Sequence, residues 1–407
     1  MSKGGIDLRT LSDANRNYIL KLIHEKKNIS RTELSRVTGL SLSAVSRIVK
    51  QLMETGYILE TGVSDSSGGR KPITICANPR AGYVIGVDFG KIKVHAGVFD
   101  FCGDLCFQYQ TIVQNGTYLD ALYDAIDNCI ASLEDRNTLL MLYCGVRGIT
   151  DSKTGTILTS DTFGWKNVPI RQLLKDRYSV SVGTDINARL AALGEWKTIY
   201  DDAVDDMAYI TTSWGICAGI ISNRSLFRGG WGIAGEIGNT INFSAQGPDS
   251  GRNLEECCGG QMMIRRAQEE WDALDNRILR KLTDNNPARV MVEDIVSAAN
   301  ASDAFAVRIA QEAAQVLALG IINLLYTYNP SLIVIGGLLS EMGDIILKPL
   351  KLELKNRLPS LLYEKLRIEL TVLGNRASLV GASEAAFQCL FGSPLGDSKD
   401  DILYFEP

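Results

Sequence analysis

The sequence predicts an α/β protein, a small winged helix-turn-helix head at the N-terminus followed by a larger body of two α/β lobes. Two patterns and one number carry that reading. Residues 14–56 run helix, helix, glycine turn, helix. From Tyr83 onward, buried strands ending at glycine alternate with hairpins and long helices, and the whole order occurs twice. At 407 residues the chain is too long for one compact domain. Its 45% hydrophobic and 22% charged residues are ordinary for a globular protein and exclude a disordered or fibrous chain. Unbroken apolar runs such as residues 316–322 fall far short of a membrane span, and Met1-Ser-Lys-Gly-Gly opens no apolar leader.

The head comes first. Ala14 to Lys26 places Tyr18, Ile19, Leu20 and Ile23 on one side of a helix. Ser30-Arg-Thr-Glu33 is a capping box, in which the serine hydroxyl accepts from the glutamate N–H while the carboxylate reaches back. It opens a second, short helix with Leu34 and Val37 inward. Gly39 ends that helix, because the tight turn needs a left-handed residue. Ser41 then caps a third helix, whose Val45, Ile48, Val49 and Leu52 face in and whose Ser43, Ser46, Arg47 and Lys50 face out. Small hydroxylic residues at the start of such a helix let it approach base edges, and Arg47 and Lys50 reach guanine edges or phosphates. A plain three-helix bundle with a polar face is the alternative.

Two short strands, Tyr57 to Gly62 and Ile73 to Cys76, flank a flexible basic tip from Ser64 to Pro72, which makes a wing. Within Gly69-Arg-Lys-Pro72, Arg70 and Lys71 suit a minor-groove hook, since a narrow groove concentrates negative potential; a solvated hairpin loop is the alternative. The charge agrees with a nucleic-acid partner. Residues 1–80 carry 13 Lys and Arg against 7 Asp and Glu, a net +6, so the remainder of a chain whose total is −5 carries −11.

In the body, Val84 to Gly90 reads as a buried strand ending at Asp88 and a glycine. Lys93 to Phe99 and Leu105 to Val113 form a hairpin, a helix covers Leu119 to Leu133, and Leu139 to Cys144 is the next strand. The order returns with Met207 to Ser213, a hairpin from Gly215 to Arg228, a long helix over 303–326 stopped by Pro330, and a strand from Leu332 to Gly337. Two such copies predict two lobes facing a cleft. The nine cysteines are scattered, as in a cytosolic protein with reduced thiols, and the two histidines, His24 and His95, are too far apart in sequence to suggest a histidine-based metal site.

Four motifs give the body a family resemblance: Ile85-Gly-Val-Asp-Phe-Gly90, Thr184-Asp-Ile-Asn-Ala-Arg-Leu-Ala-Ala-Leu-Gly-Glu195, Ala234-Gly-Glu-Ile-Gly238 and Asn329-Pro-Ser-Leu-Ile-Val-Ile-Gly-Gly337. They resemble the ROK family (repressors, open reading frames and kinases), within the hexokinase/actin-like, RNase H-like superfold, over essentially the whole chain. The head resembles the winged domain of the family's repressor branch, to which the xylose repressor belongs. The resemblance implies a DNA-binding domain at 1–80, a small lobe at 81–186 completed by a helix at 376–391, and a large lobe at 187–375. It also implies a sugar or sugar derivative that changes operator affinity.

The family's kinases grip ATP phosphates with a glycine–glycine–threonine turn and a glycine–threonine–glycine turn. Here the turns read Gly90-Lys91-Ile92-Lys93 and Ser213-Trp214-Gly215, the second putting an indole where a phosphate would sit. Loss of both halves of the grip implies no kinase activity, hence no catalytic residue and no cofactor. The sugar-facing residues are retained. Asp185 matches the family's catalytic base and without ATP still accepts a hydrogen bond from the sugar hydroxyl, although a helix N-cap is its alternative role. Glu236 and Glu255 match the sugar-contacting glutamates, strong acceptors for a polyol. Thr184 stands where the family has Asn, and Arg147, beside Gly148, where it has Pro; Arg147 either meets an anionic group on the ligand or pairs with a neighbouring acid.

The family's zinc site departs as well. Asn239 replaces its histidine, Ser250-Gly-Arg-Asn-Leu-Glu255 replaces its cysteine run, and Cys257-Cys258 are adjacent, so four tetrahedral ligands cannot be assembled. Asn239 remains a partner for a sugar hydroxyl. The expected protein is a cytoplasmic, sugar-responsive repressor of carbohydrate-metabolism genes that binds double-stranded operator DNA as a homodimer, with no membrane partner. An active ATP-dependent sugar kinase with a DNA-binding head is the alternative.

Overall fold

A computed structural model describes residues 8–63, 73–114, 116–201, 203–241, 251–272 and 277–392 of the chain. The chain divides into two compact units, Met1–Asp185 with Ala382–Pro407, and Ile186–Gly381.

The head opens the first unit as α1 (Leu8–Lys26), β1 (Ile29–Ser30), α2 (Arg31–Thr38), α3 (Leu42–Glu54), β2 (Ile58–Val63) and β3 (Ile73–Ala77). The capping box forms as the sequence indicates, and Gly39 caps α2 at φ 71° with its N–H on the Ser35 carbonyl. Ile19, Leu20, Ile23, Leu34, Val45, Ile48, Val49 and Leu52 are buried. Two expected core residues are not. Tyr18 is 45% exposed and Val37 is 47% exposed. Leu22, rather than Tyr18, completes the buried face of α1. Val37 lies in the last turn of an eight-residue helix whose inward face Leu34 fills alone. The strands pair antiparallel in the order β1-β3-β2. The wing tip, with Arg70 and Lys71, lies outside the described residues.

The rest of this unit is built on β4 (Tyr83–Phe89), β5 (Lys93–Asp100), β6 (Leu105–Ile112), α4 (Tyr118–Ala131) and β7 (Leu139–Val146). A small sheet that the sequence pattern did not reveal follows, β8 (Ile149–Asp151), β9 (Thr156–Ser160) and β10 (Trp165–Val168), and then α5 (Ile170–Tyr178) and β11 (Ser181–Ile186). The main sheet has the order β11-β7-β4-β5-β6, with β4 antiparallel to β5 and parallel to β7. The sheet and the face of α4 bearing Leu122, Ala125 and Ile126 share one core. The head packs on this lobe through α1. The His24 ring lies 4.5 Å from the Phe387 ring and 5.0 Å from the Phe391 ring. Its Nδ1 is 3.0 Å from the Phe101 carbonyl oxygen, a bond that requires the proton on Nδ1.

The second unit begins with α6 (Asn187–Glu195) and continues through β12 (Met207–Thr212), β13 (Ile216–Ser222) and β14 (Ser225–Phe227). Helices α7 (Leu254–Cys258), α8 (Gly260–Glu269), α9 (Arg277–Leu282), α10 (Val292–Asn300) and α11 (Ala304–Tyr328) lead to β15 (Leu332–Gly336). The remainder is α12 (Asp344–Arg357), α13 (Ser360–Lys365), β16 (Arg367–Leu370) and α14 (Ala377–Leu390), whose second half belongs to the first unit. The sheet order is β14-β13-β12-β15-β16, with β12 antiparallel to β13 and parallel to β15. Each main sheet therefore has the same plan: a first strand at the centre, its hairpin on one side, parallel pairing on the other. Arg308, Gln311, Glu312, Gln315 and Asn323 interrupt the apolar runs of α11, which by length and composition alone is long and apolar enough to cross a membrane. Phe305, Ile309, Ala313 and Leu317 of α11 are buried in the core of the second unit.

Candidate nucleic-acid interface and effector site

α3 is anchored at its start. The Ser41 hydroxyl accepts from the Ala44 N–H at 3.2 Å and lies 3.0 Å from the Ser43 hydroxyl. Because four apolar side chains turn inward, the opposite side of α3 faces outward. Ser41, Ser43, Arg47 and Lys50 are exposed and Ser46 is half-buried. Lys50 approaches Glu54 to 3.7 Å across an exposed turn, a pairing too solvated to withdraw it from a phosphate. Arg31 braces α2 against the wing through Glu60 at 2.8 Å. The two bonds from Ser30 hold the Glu33 carboxyl below its usual range. Leu42, the first residue of α3, is 52% exposed, and the sequence reading passed over it.

The ligand-domain residues of the first unit gather at the ends of β7 and β11. Thr184 and Asp185 are both buried. The residue preceding α6 is Ile186, whose side chain makes no capping hydrogen bond. The Thr184 hydroxyl and Arg147 Nε are buried without a hydrogen-bond partner among the described residues. Such orphaned groups cost about 1–3 kcal/mol each unless a ligand or water satisfies them. Gly148 makes the turn from β7 to β8 at φ 112°.

The second unit holds the glutamates. Glu255, on α7, accepts the Ile216 N–H on Oε2 at 2.7 Å. A Cβ at residue 215 would lie 2.3 Å from that oxygen, so Gly215 is what lets the carboxylate seat there. Glu236 lies 3.7 Å from the Cys217 sulfur through Oε1 and 3.4 Å from the amide of exposed Asn239 through Oε2. Burial pushes the Glu236 carboxyl above its usual range; the Arg189 guanidinium opposes that, and Glu255 adds to it. Burial also pushes the Cys217 thiol up, with the Glu236 charge reinforcing it. Arg189 is itself 1% exposed and donates Nη1 to the Gly232 carbonyl at 2.6 Å. Arg189 and Cys217 were not among the expected site residues. An arginine within the apolar helix Asn187-Ala-Arg-Leu-Ala-Ala-Leu was the available signal, because a buried cation demands partners.

Both phosphate-turn positions are engaged internally. The Gly90 N–H donates to the Lys93 carbonyl at 3.1 Å. The Ser213 N–H donates to the Gly215 carbonyl at 3.1 Å, and the Ser213 hydroxyl accepts from the Leu338 N–H at 3.0 Å. Trp214 is half-buried and packs against the core of the second unit. The residues at the zinc position do not fit zinc. Cys257 and Cys258 are buried at adjacent positions of one short helix, the Cys258 thiol donates to the Leu254 carbonyl at 3.2 Å, and among the described residues no group of three or more His, Cys, Asp and Glu is placed to hold a metal ion.

Comparison with known proteins identifies two matching segments. The ROK family model matches residues 84–388, and a winged helix-turn-helix DNA-binding model matches residues 13–58. The xylose repressor of Caldicellulosiruptor bescii is 29% identical over 388 residues, 91% of this chain and 94% of its own length. The crystal structure of a ROK family transcriptional regulator, a homologue of the E. coli MLC protein, aligns over 94% of this chain and 98% of that one with a TM-score of 0.77 at 21% identity. A ROK family glucokinase from Streptomyces griseus, in complex with glucose and AMPPNP, covers 75% of this chain and 99% of its own with a TM-score of 0.66 at 26% identity.

Proposed function

Since the chain belongs to the ROK family, we propose that it is a sugar-responsive transcriptional repressor. One observation carries the reading: a winged helix-turn-helix presents an exposed hydroxylic and basic α3 on the same chain as the family's ligand domain. Ser41, Ser43, Ser46, Arg47 and Lys50 read the major groove, and Arg70 and Lys71 of the wing contact the minor groove or its phosphates. The chain acts as a homodimer, so that two heads meet half-sites about 34 Å apart, one helical turn of DNA. Its place is the cytoplasm, where the DNA is.

Thr184, Asp185, Arg147, Gly148, Glu236, Asn239 and Glu255 are the effector contacts. Carboxylates suit a polyol because each oxygen accepts more than one hydroxyl hydrogen bond, and charged acceptors give strong ones. The orphaned Thr184 hydroxyl supports a ligand at β11. An effector alters operator affinity only if it binds the DNA-competent and incompetent conformations unequally.

The reading includes loss of phosphoryl transfer. A kinase needs free backbone N–H groups to cradle phosphates, while here the Gly90 and Ser213 N–H groups are bonded within their own turns. The likeness to a glucokinase bound to glucose and a nucleotide analogue favours a second reading, an active sugar kinase carrying a DNA-binding head. Two assays separate them. Full-length protein is expected to enrich a palindromic duplex from a random library and to release it on addition of one member of a sugar panel. It is expected to release no ADP from ATP with any of those sugars. Sugar-dependent ADP release would establish the kinase reading, and failure to enrich any duplex would remove the repressor reading.

A further inference from the structure

The first residue of α3 is the one large apolar side chain on that helix that is exposed rather than buried or half-buried. Val45, Ile48, Val49 and Leu52 are at most 5% exposed, whereas Leu42 is 52% exposed. It sits between Ser41 and Ser43, whose hydroxyls lie 3.0 Å apart, and one helical turn before Ser46. Its neighbours on the exposed side are thus small and hydroxylic, followed by Arg47 and Lys50. Leaving a leucine in water at the leading end of a helix forgoes its burial energy, unless something apolar meets it. In a helix-turn-helix, the N-terminal residues of the second helix enter the major groove. The apolar group displayed there is the C5 methyl of thymine.

We propose that Leu42 is a specificity-determining residue that packs against a thymine methyl group in the operator half-site. The proposal rests on the DNA-binding reading of the head and adds the base that one position prefers. The serines on either side have no apolar surface of comparable size, so thymine selection at that step depends on Leu42. Arg47 and Lys50, further along the helix, supply affinity through guanine edges or phosphates without responding to a methyl group.

Deoxyuridine in place of thymidine removes that one methyl and nothing else. The full-length protein is first used to select a duplex from a random library. Each thymidine of the selected half-site is then replaced in turn by deoxyuridine, and binding is measured by fluorescence anisotropy. The wild-type protein is expected to lose about fourfold in affinity at one thymidine or more, the equivalent of one buried methyl group. Leu42→Ala is expected to bind the thymidine and deoxyuridine duplexes equally at that position, and Leu42→Met, which restores apolar contact, to regain the discrimination. A purely structural Leu42 would weaken both duplexes alike and leave the methyl dependence intact. Methyl sensitivity unchanged in Leu42→Ala, or absent from the wild type at every thymidine, overturns the proposal while leaving the DNA-binding reading standing. Failure of the wild type to enrich any duplex overturns both.

Discussion

Glu236 combines two opposed demands. In the proposed effector site it is the stronger acceptor when ionised, yet its burial disfavours the charge. Because its folded-state pKa is raised, the folded protein holds this proton more tightly than the unfolded chain does. Stability therefore falls as pH rises from the ordinary glutamate range through the raised value, and the full penalty applies above it. Glu236→Gln is expected to flatten that part of the pH profile and raise the Tm of the ligand-free protein above that range, measured by thermal denaturation across pH. The same variant is expected to bind the effector roughly ten- to a hundredfold more weakly by calorimetry, the worth of one hydrogen bond to a charged partner. A variant that binds as tightly as wild type would remove Glu236 from the site. At this scale the sequence was partly legible. The motif pointed to Glu236, but not to Arg189 and Cys217 beside it. Those neighbours come from α6 and β13, far from Glu236 along the chain.

The element that was easiest to read was α3. Its apolar residues at 45, 48, 49 and 52 define a single inward stripe, so the outward face follows by geometry. Arg47→Ala and Lys50→Ala are each expected to weaken operator binding, and a lost phosphate contact is expected to lower the salt-dependence slope by about one. Anisotropy titrations at several salt concentrations check this, and effector binding should persist in both variants. The docking of α1 was not legible. His24 meets Phe101, Phe387 and Phe391, residues 77 or more positions away, and no local pattern marks them as partners. His24→Ala is expected to cost about 2 kcal/mol through lost ring packing and the bond to the Phe101 carbonyl. Urea unfolding of the full chain measures that cost, and an unchanged midpoint would show that the head is held elsewhere. The β8–β10 sheet escaped notice because strands of three to five residues carry too few alternations to register as a period.

Across the whole molecule the repeated order of strand, hairpin, helix and strand was visible in the sequence, and the two main sheets carry it out with matching strand orders. A ligand that binds only the folded chain must raise its stability, by about 2.7 kcal/mol at a hundred times its Kd. A thermal-shift screen of sugars and sugar phosphates is therefore expected to find a compound that raises the Tm of wild type and does so less in Asp185→Ala. A panel that leaves the wild-type Tm unmoved would count against a carbohydrate effector. The sequence by itself determined what depends on neighbours along the chain: the capping box at Ser30, the left-handed turn at Gly39, the inward stripe of α3 and the glycine-ended strands. Tertiary structure alone decided what depends on residues brought together from afar. It left Tyr18 and Val37 in solvent, buried Arg189 against Gly232 and Glu236, and seated Glu255 on the Ile216 N–H. The physical reason is that periodicity fixes which side chains share a face, whereas burial and pKa depend on what packs against that face.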